Sequence, residues 1–207
     1  MLYKSYLVPS KKIKCIQELA PKNYKRFVDP AIHSGSIFVH LAPKKWLINE
    51  DTNAIYNMWR VLKDNPVELS RCLRSNFFDE ISRPARAAMF MYLQDYKHII
   101  GNPEPYFGNV KKISAFMNET EGTVTDMRAD DVLNNCTEKD DFVFLDFKNI
   151  SRSNVKVCMM EAIYALDEKS VQWMLVHNNN AYVRTQFSNY NIKFDGFDKD
   201  ELVIMNY

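Results

Sequence analysis

The chain has 207 residues, 46% hydrophobic and 26% charged, enough for one substantial core of ordinary globular composition. Its 27 basic and 26 acidic side chains leave a formal net charge of +1, which excludes a strong global field for nucleic acid and leaves only local basic patches. Cys15, Cys72, Cys136 and Cys158 stand 57, 64 and 22 residues apart with no CxxC or Cys/His cluster, so no zinc or other metal site is expected. Scattered thiols, no leader-like start and no apolar run near the roughly 18 residues of a membrane span predict a cytoplasmic protein without membrane contact.

Residues 1–8 are apolar enough to dock onto the body. Pro9-Ser10 offers a cap for a helix carrying Ile13 and Ile16, which Pro21 ends. Arg26 to Pro30 reads as a short strand stopping at Asp29. Ser34 to Val39 reads as a turn opening a short helix, and Lys45 to Glu50 as a second strand ending in an acid. The lysine runs at 11–14, 22–26 and 44–45 read as solvated faces.

A helix begins at Thr52 with Ile55, Trp59 and Leu62 on one face, broken by Asn65-Pro66. Val67 to Phe77 and Pro84 to Leu93 are further helices, Pro84 standing in a first turn where its missing donor costs nothing. Residues 97–109, with two Gly and two Pro, read as loop, and Lys112 to Asn118 as a short helix. The strand Gly122–Asp126 and a helix to Leu133 precede Asp141 to Asp146, an apolar run that breaks at an acid as buried parallel strands do. Cys158 to Leu166 reads as helix, Gln172 to His177 as strand and Ala181 to Ser188 as helix. Strands at 191–197 and 201–206 close the chain as a hairpin. Alternating strands and helices predict an α/β fold, a mainly parallel doubly wound sheet with a terminal antiparallel hairpin. The whole chain reads as one domain, with residues 66–118 as a helical insertion.

Four segments in order resemble the DNA adenine methylase family. Val28-Asp29-Pro30-Ala31-Ile32-His33-Ser34-Gly35-Ser36 is similar to its cofactor loop, (E/D)PFxGxGS. Trp46 to Asn57 resembles the strand whose terminal acid holds the cofactor ribose, a place that Glu50 takes here. Ala85-Arg86-Ala87-Ala88-Met89-Phe90-Met91-Tyr92-Leu93 matches ARAAxFxYLN, and Trp173 to Asn180 resembles the strand and turn after the catalytic loop. The resemblance implies a Rossmann-like methyltransferase fold with a reduced helical lobe. It also implies S-adenosylmethionine as cofactor, with Asp29, Gly35 and Glu50 as vestigial cofactor-binding candidates.

The departures fall where the chemistry would be. The family's DPPY is Asp146-Phe147-Lys148-Asn149 here, so Asp146 remains while both prolines and the stacking ring are gone. A flipped base stacked on that ring would gain about 1–3 kcal/mol. His33 replaces the first cofactor-loop glycine and Ala31 its Phe, placing a Cβ and an imidazole where backbone must approach the ligand. The family's Gly-Gly-Lys has only Lys11 or Lys12 as a remnant. About 25 residues separate Leu93 from the next strand, too few for the family's base-reading hairpin.

Bland readings stand beside these. Glu50 is either a ribose ligand or a helix-terminal acid, Asp146 a site remnant or a strand-end cap, and His33 a satisfied histidine or a ligand contact. The Asn178-Asn179-Asn180 run either lines a cleft or makes a strand-to-helix turn. The expectation is a catalytically inactive methyltransferase-like protein, a binding or assembly subunit of a larger complex with no cofactor, as in a fast-evolving viral genome. An active S-adenosylmethionine-dependent methyltransferase of altered acceptor is the alternative. The partner would be protein or nucleic acid, touched through Lys11, Lys12, Lys111, Lys112 and Lys148, with Tyr106, Phe107 and Phe116 as apolar anchors.

Overall fold

Apolar side chains alternate along the strands, and that alternation builds the two layers of the molecule. The computed structural model describes residues 10–75, 82–89, 91, 104–146, 159–194 and 199–207, with residues 10, 75, 104–107 and 159 described for backbone alone. The strands are β1 (Phe27–Asp29), β2 (Lys45–Asn49), β3 (Glu121–Thr125), β4 (Phe142–Asp146), β5 (Gln172–Asn178), β6 (Asn191–Lys193) and β7 (Glu201–Met205). They form one sheet in the order β3-β2-β1-β4-β5-β7-β6. Every pair from β3 to β5 is parallel, while β7 runs antiparallel to both β5 and β6. The predicted doubly wound sheet with a terminal antiparallel hairpin is what the chain forms.

On one face Phe27, Trp46, Ile48, Phe142, Phe144, Met174 and Val176 share a core with Ile13, Phe38, Trp59, Leu62, Leu69, Leu73 and Ile113. Their sequence neighbours Val28, Leu47, Val143, Leu145, Trp173 and Leu175 point the other way, onto Val132, Ile163, Leu166, Val183 and Phe187. A strand buried on both faces needs this near-continuous apolar run, which is why the parallel strands were readable. Trp59 and Trp173 are wholly buried. Each such ring contributes on the order of 5 kcal/mol at about 25 cal/mol per Å².

The first face is covered by α1 (Ser10–Leu19), α2 (Ser36–Leu41), α3 (Asn53–Asp64), α4 (Pro66–Ser75) and α5 (Glu104–Glu119). The second carries α6 (Ala129–Asn135), α7 (Met159–Glu168) and α8 (Ala181–Gln186). Residues 83–89 are also helical. Boundaries differ from expectation at β6, which stops at Lys193 with Phe194 already outside it, and at α5, which starts at Glu104, inside the stretch read as loop. Pro105 falls in its first turn, where no donor is lost, and Gly108 stands in open space. Val110, Ile113 and Met117, all buried, hold the helix down despite that glycine. Residues 1–8, Phe77, Phe90, 92–93 and 147–149 lie outside the described residues.

Candidate functional site

The sheet reverses its winding between β1 and β4, and the crevice beyond the carboxyl ends of these strands is where open α/β sheets hold ligands. Three acids arrive there: Asp29 as the last residue of β1, Glu50 just past β2 and Asp146 as the last residue of β4. Glu201 joins them from the first position of β7, which pairs with Asn178 at the far end of β5. The register alone brings these carboxylates to one edge.

Glu50 is 2% exposed. Its Oε1 accepts from the Thr52 backbone N–H at 3.1 Å, and its Oε2 from the His33 N–H at 3.0 Å. The His33 Nδ1 stands 3.2 Å from the same Oε2. Thr52 is the N-cap of α3, which places the Glu50 carboxylate at the N-terminus of that helix. His33 is buried as well, and its carbonyl accepts from Trp59 Nε1 at 3.0 Å.

The loop backbone keeps the shape of a glycine loop. His33 sits at φ 43 and Gly35 at φ 62, both in the left-handed region that favours glycine. His33 therefore bears a cost of about 1 kcal/mol or more for its conformation. At Gly35 an added Cβ would run into the Trp59 ring, so this glycine serves the packing of α3 against the loop. The short helix α2 follows directly, with Gly35 as its N-cap.

Lys12, expected among the partner contacts, is instead buried at 7% exposure. Its Nζ lies 3.0 Å from Glu201 and 3.7 Å from Asp146, tying α1 to β7 and β4. A long side chain on a helix that packs its apolar face inward can lay its stem along that face and deliver the charge to the strand ends. Asp29 accepts from the Ala31 N–H at 3.1 Å. Burial first, then the nearby Asp146 and Glu50 carboxylates, push the Asp29 carboxyl up to about 8 despite that hydrogen bond.

Asn49 knits the loops of this edge together. Its amide donates to Pro30 O and Met127 O, both at 2.9 Å. Its Oδ1 accepts from Thr125 Oγ1 at 2.8 Å and from Met127 N–H at 2.9 Å. All four hydrogen-bonding sites are used in a fully buried side chain. Sequence reasoning missed Asn49, Glu201 and Trp59 as parts of this edge. A polar residue closing an apolar strand was the available signal for Asn49; Glu201 required the register of β7 on β5.

Of the remaining candidates, Lys11, Lys111 and Lys112 are exposed, the first on α1 and the others on α5, away from the carboxylates. Lys148 lies outside the described residues, as do the side chains of Tyr106 and Phe107, while Phe116 packs partly buried against the core. The Asn run makes a turn: Asn180 caps α8 by accepting from Val183 N–H at 2.9 Å. Among the described residues no three His, Cys, Asp or Glu side chains are grouped to hold a metal ion, and no helix is long and apolar enough to cross a membrane.

A seven-stranded sheet in this order with acids at the ends of β1, β2 and β4 defines a Rossmann-like methyltransferase fold, and solved structures share it. A conserved hypothetical protein of Streptococcus pyogenes superposes with TM-score 0.50 at 12% identity over 94% of this chain and 92% of its own. The putative methyltransferase yhhF of Escherichia coli gives 0.50 at 10% identity over 96% and 85%. A precorrin-6y C5,15-methyltransferase of Geobacter metallireducens GS-15 gives 0.51 at 10% identity over 99% and 92%. At these identities the likeness is one of fold.

Sequence carries the assignment further. Residues 10–98 match the D12 class N6 adenine-specific DNA methyltransferase family. The type II methyltransferase M1.LlaDCHI of Lactococcus lactis subsp. cremoris is 33% identical over 97 aligned residues, covering 38% of this chain and 34% of that protein. The chain thus spans about a third of the length of that curated relative.

Proposed function

We propose that this methyltransferase-family protein does not itself methylate adenine and acts as a binding or assembly subunit. The observation that carries the reading is the state of Glu50, whose two oxygens already have internal donors from Thr52 and His33. S-adenosylmethionine, the cofactor the family implies, would need that carboxylate for its ribose hydroxyls. A poor fit is supported by the His33 Nδ1 at 3.2 Å from Glu50 and by the Lys12 ammonium, at 3.0 Å from Glu201 and 3.7 Å from Asp146, at the same edge.

A second reading, retained cofactor use with an altered acceptor, draws on a different observation. Asp29, Glu50, Asp146 and Glu201 outnumber the single ammonium of Lys12 at this edge. A sulfonium or amine arriving beside Asp29 would relieve its elevated pKa and release a proton on binding.

Transfer of a tritiated methyl group from S-adenosylmethionine to mixed-sequence DNA by the purified protein separates the two. The first reading expects no counts above a protein-free control; incorporation that disappears in Asp146→Ala would overturn it.

A further inference from the structure

At the opposite end of the sheet, two lysine runs twenty residues apart in sequence converge on one concavity. An open cleft of about 600 Å³ is lined by Lys22, Tyr24 and Lys25 before β1, by Lys44 and Lys45 leading into β2, and by Asp140 before β4. The four lysines are exposed and Tyr24 is half-buried, its ring leaning on Phe142 at 5.5 Å between centroids. Taken singly, either run is an ordinary solvated face. Folding makes them one surface.

The four ammonium groups are not equally engaged. Lys25 pairs with Glu138 at 2.5 Å and Lys45 with Glu121 at 2.8 Å, all four side chains being more than half exposed. Ion pairs at that exposure hold weakly and exchange partners readily. Lys22 and Lys44 have no carboxylate within ion-pair distance among the described residues. Asp140, exposed, is the one acid in the lining, and its backbone carbonyl accepts from the Lys25 N–H at 2.7 Å.

We infer that this lysine cleft binds the phosphate backbone of a nucleic acid, at the end of the sheet remote from the methyltransferase crevice. The lining holds no arginine, so it lacks the planar fork that grips carboxylates in pairs; ammonium groups meet phosphate oxygens as point charges. Lys22 and Lys44, beside the weakly held Lys25 and Lys45, suit a chain of phosphates on this open concave surface, a contact that is independent of base sequence and sensitive to salt. A nucleic acid held here leaves the crevice at the other edge clear.

The test measures affinity of the full chain for a fluorescein-labelled DNA duplex of mixed sequence from 50 to 200 mM salt. The site predicts that Lys22→Glu with Lys44→Glu weakens binding at least tenfold at the low-salt end. It also predicts a slope of log affinity against log salt that is shallower by about one to two. The charge-matched control Arg184→Glu with Lys193→Glu, exposed on α8 and β6 and outside the cleft, should bind as the native protein does. Unchanged affinity in the cleft variant, or a loss confined to the control, overturns the inference. Competition by polyglutamate as effective as by DNA of equal charge also overturns it and points to an acidic protein instead. None of these readouts involves S-adenosylmethionine, so this inference and the proposed loss of methylation fail independently.

Discussion

The two ends of the sheet carry opposite charges in opposite states. At the carboxyl end Asp29, Glu50 and Glu201 are buried with the single ammonium of Lys12, and each has a partner from the fold itself. At the amino end four lysines stand in solvent, two of them with no carboxylate at ion-pair distance among the described residues. Burial forces a charge to be satisfied internally, because an unpaired ion in a low-dielectric interior costs several kcal/mol. Exposure imposes no such demand, so solvated lysines stay available to a ligand. The edge that family resemblance marks as reactive holds its charges in internal contacts, while the opposite edge keeps accessible charge.

The contrast can be broken most forcefully at Lys12. Lys12→Ala leaves Glu201 and Asp146 without the ammonium that joins them, and stability measured by urea unfolding should fall by about 3–5 kcal/mol. A loss under about 1 kcal/mol would mean water reaches these acids freely.

Asp29→Asn comes next and reads pH. Between the unfolded carboxyl near pH 4 and the folded one at about 8, the native protein holds a proton that the unfolded chain has lost. Native stability therefore falls as pH rises through that window, and the asparagine variant, with nothing to ionise, should not follow. The variant should be the more stable protein by a few kcal/mol at pH 8 and near parity at pH 4, read from thermal melts across the range. Parallel pH profiles would show that Asp29 is hydrated.

Gly35→Ala should cost about 2–3 kcal/mol, from the positive φ and the Trp59 ring together. Pairing it with Trp59→Phe should recover part of the loss if the ring is the obstacle. The smallest effect belongs to the other edge. Lys22→Glu with Lys44→Glu should shift the unfolding midpoint by no more than about 0.5 kcal/mol, as solvated surface changes do. A larger drop would mean the cleft is part of the structure after all.

Much of the frame was legible because the strands announce themselves. Phe142 to Leu145 has no polar residue to interrupt it, and the acids after β1, β2 and β4 mark where those strands stop. The α5 start was not legible: Pro105 and Gly108 are loop residues by local rules, and only Val110, Ile113 and Met117 packing on the body overrule them. Lys12 sits in a run of lysines that reads as solvated, and nothing local says that one of the three turns inward. Gly35 invited a cofactor explanation, yet the atom that excludes a Cβ there belongs to Trp59, twenty-four residues on. Such facts depend on contacts between distant segments, which periodicity does not encode.

The central claim is that Glu50 is held from within by His33. Calorimetric titration of S-adenosylmethionine into the native protein and into His33→Gly tests it most directly, since glycine accepts the positive φ and removes the imidazole. The account predicts no saturable heat in the native protein and saturable binding in the glycine variant. Saturable binding to the native protein that Glu50→Ala abolishes would contradict it.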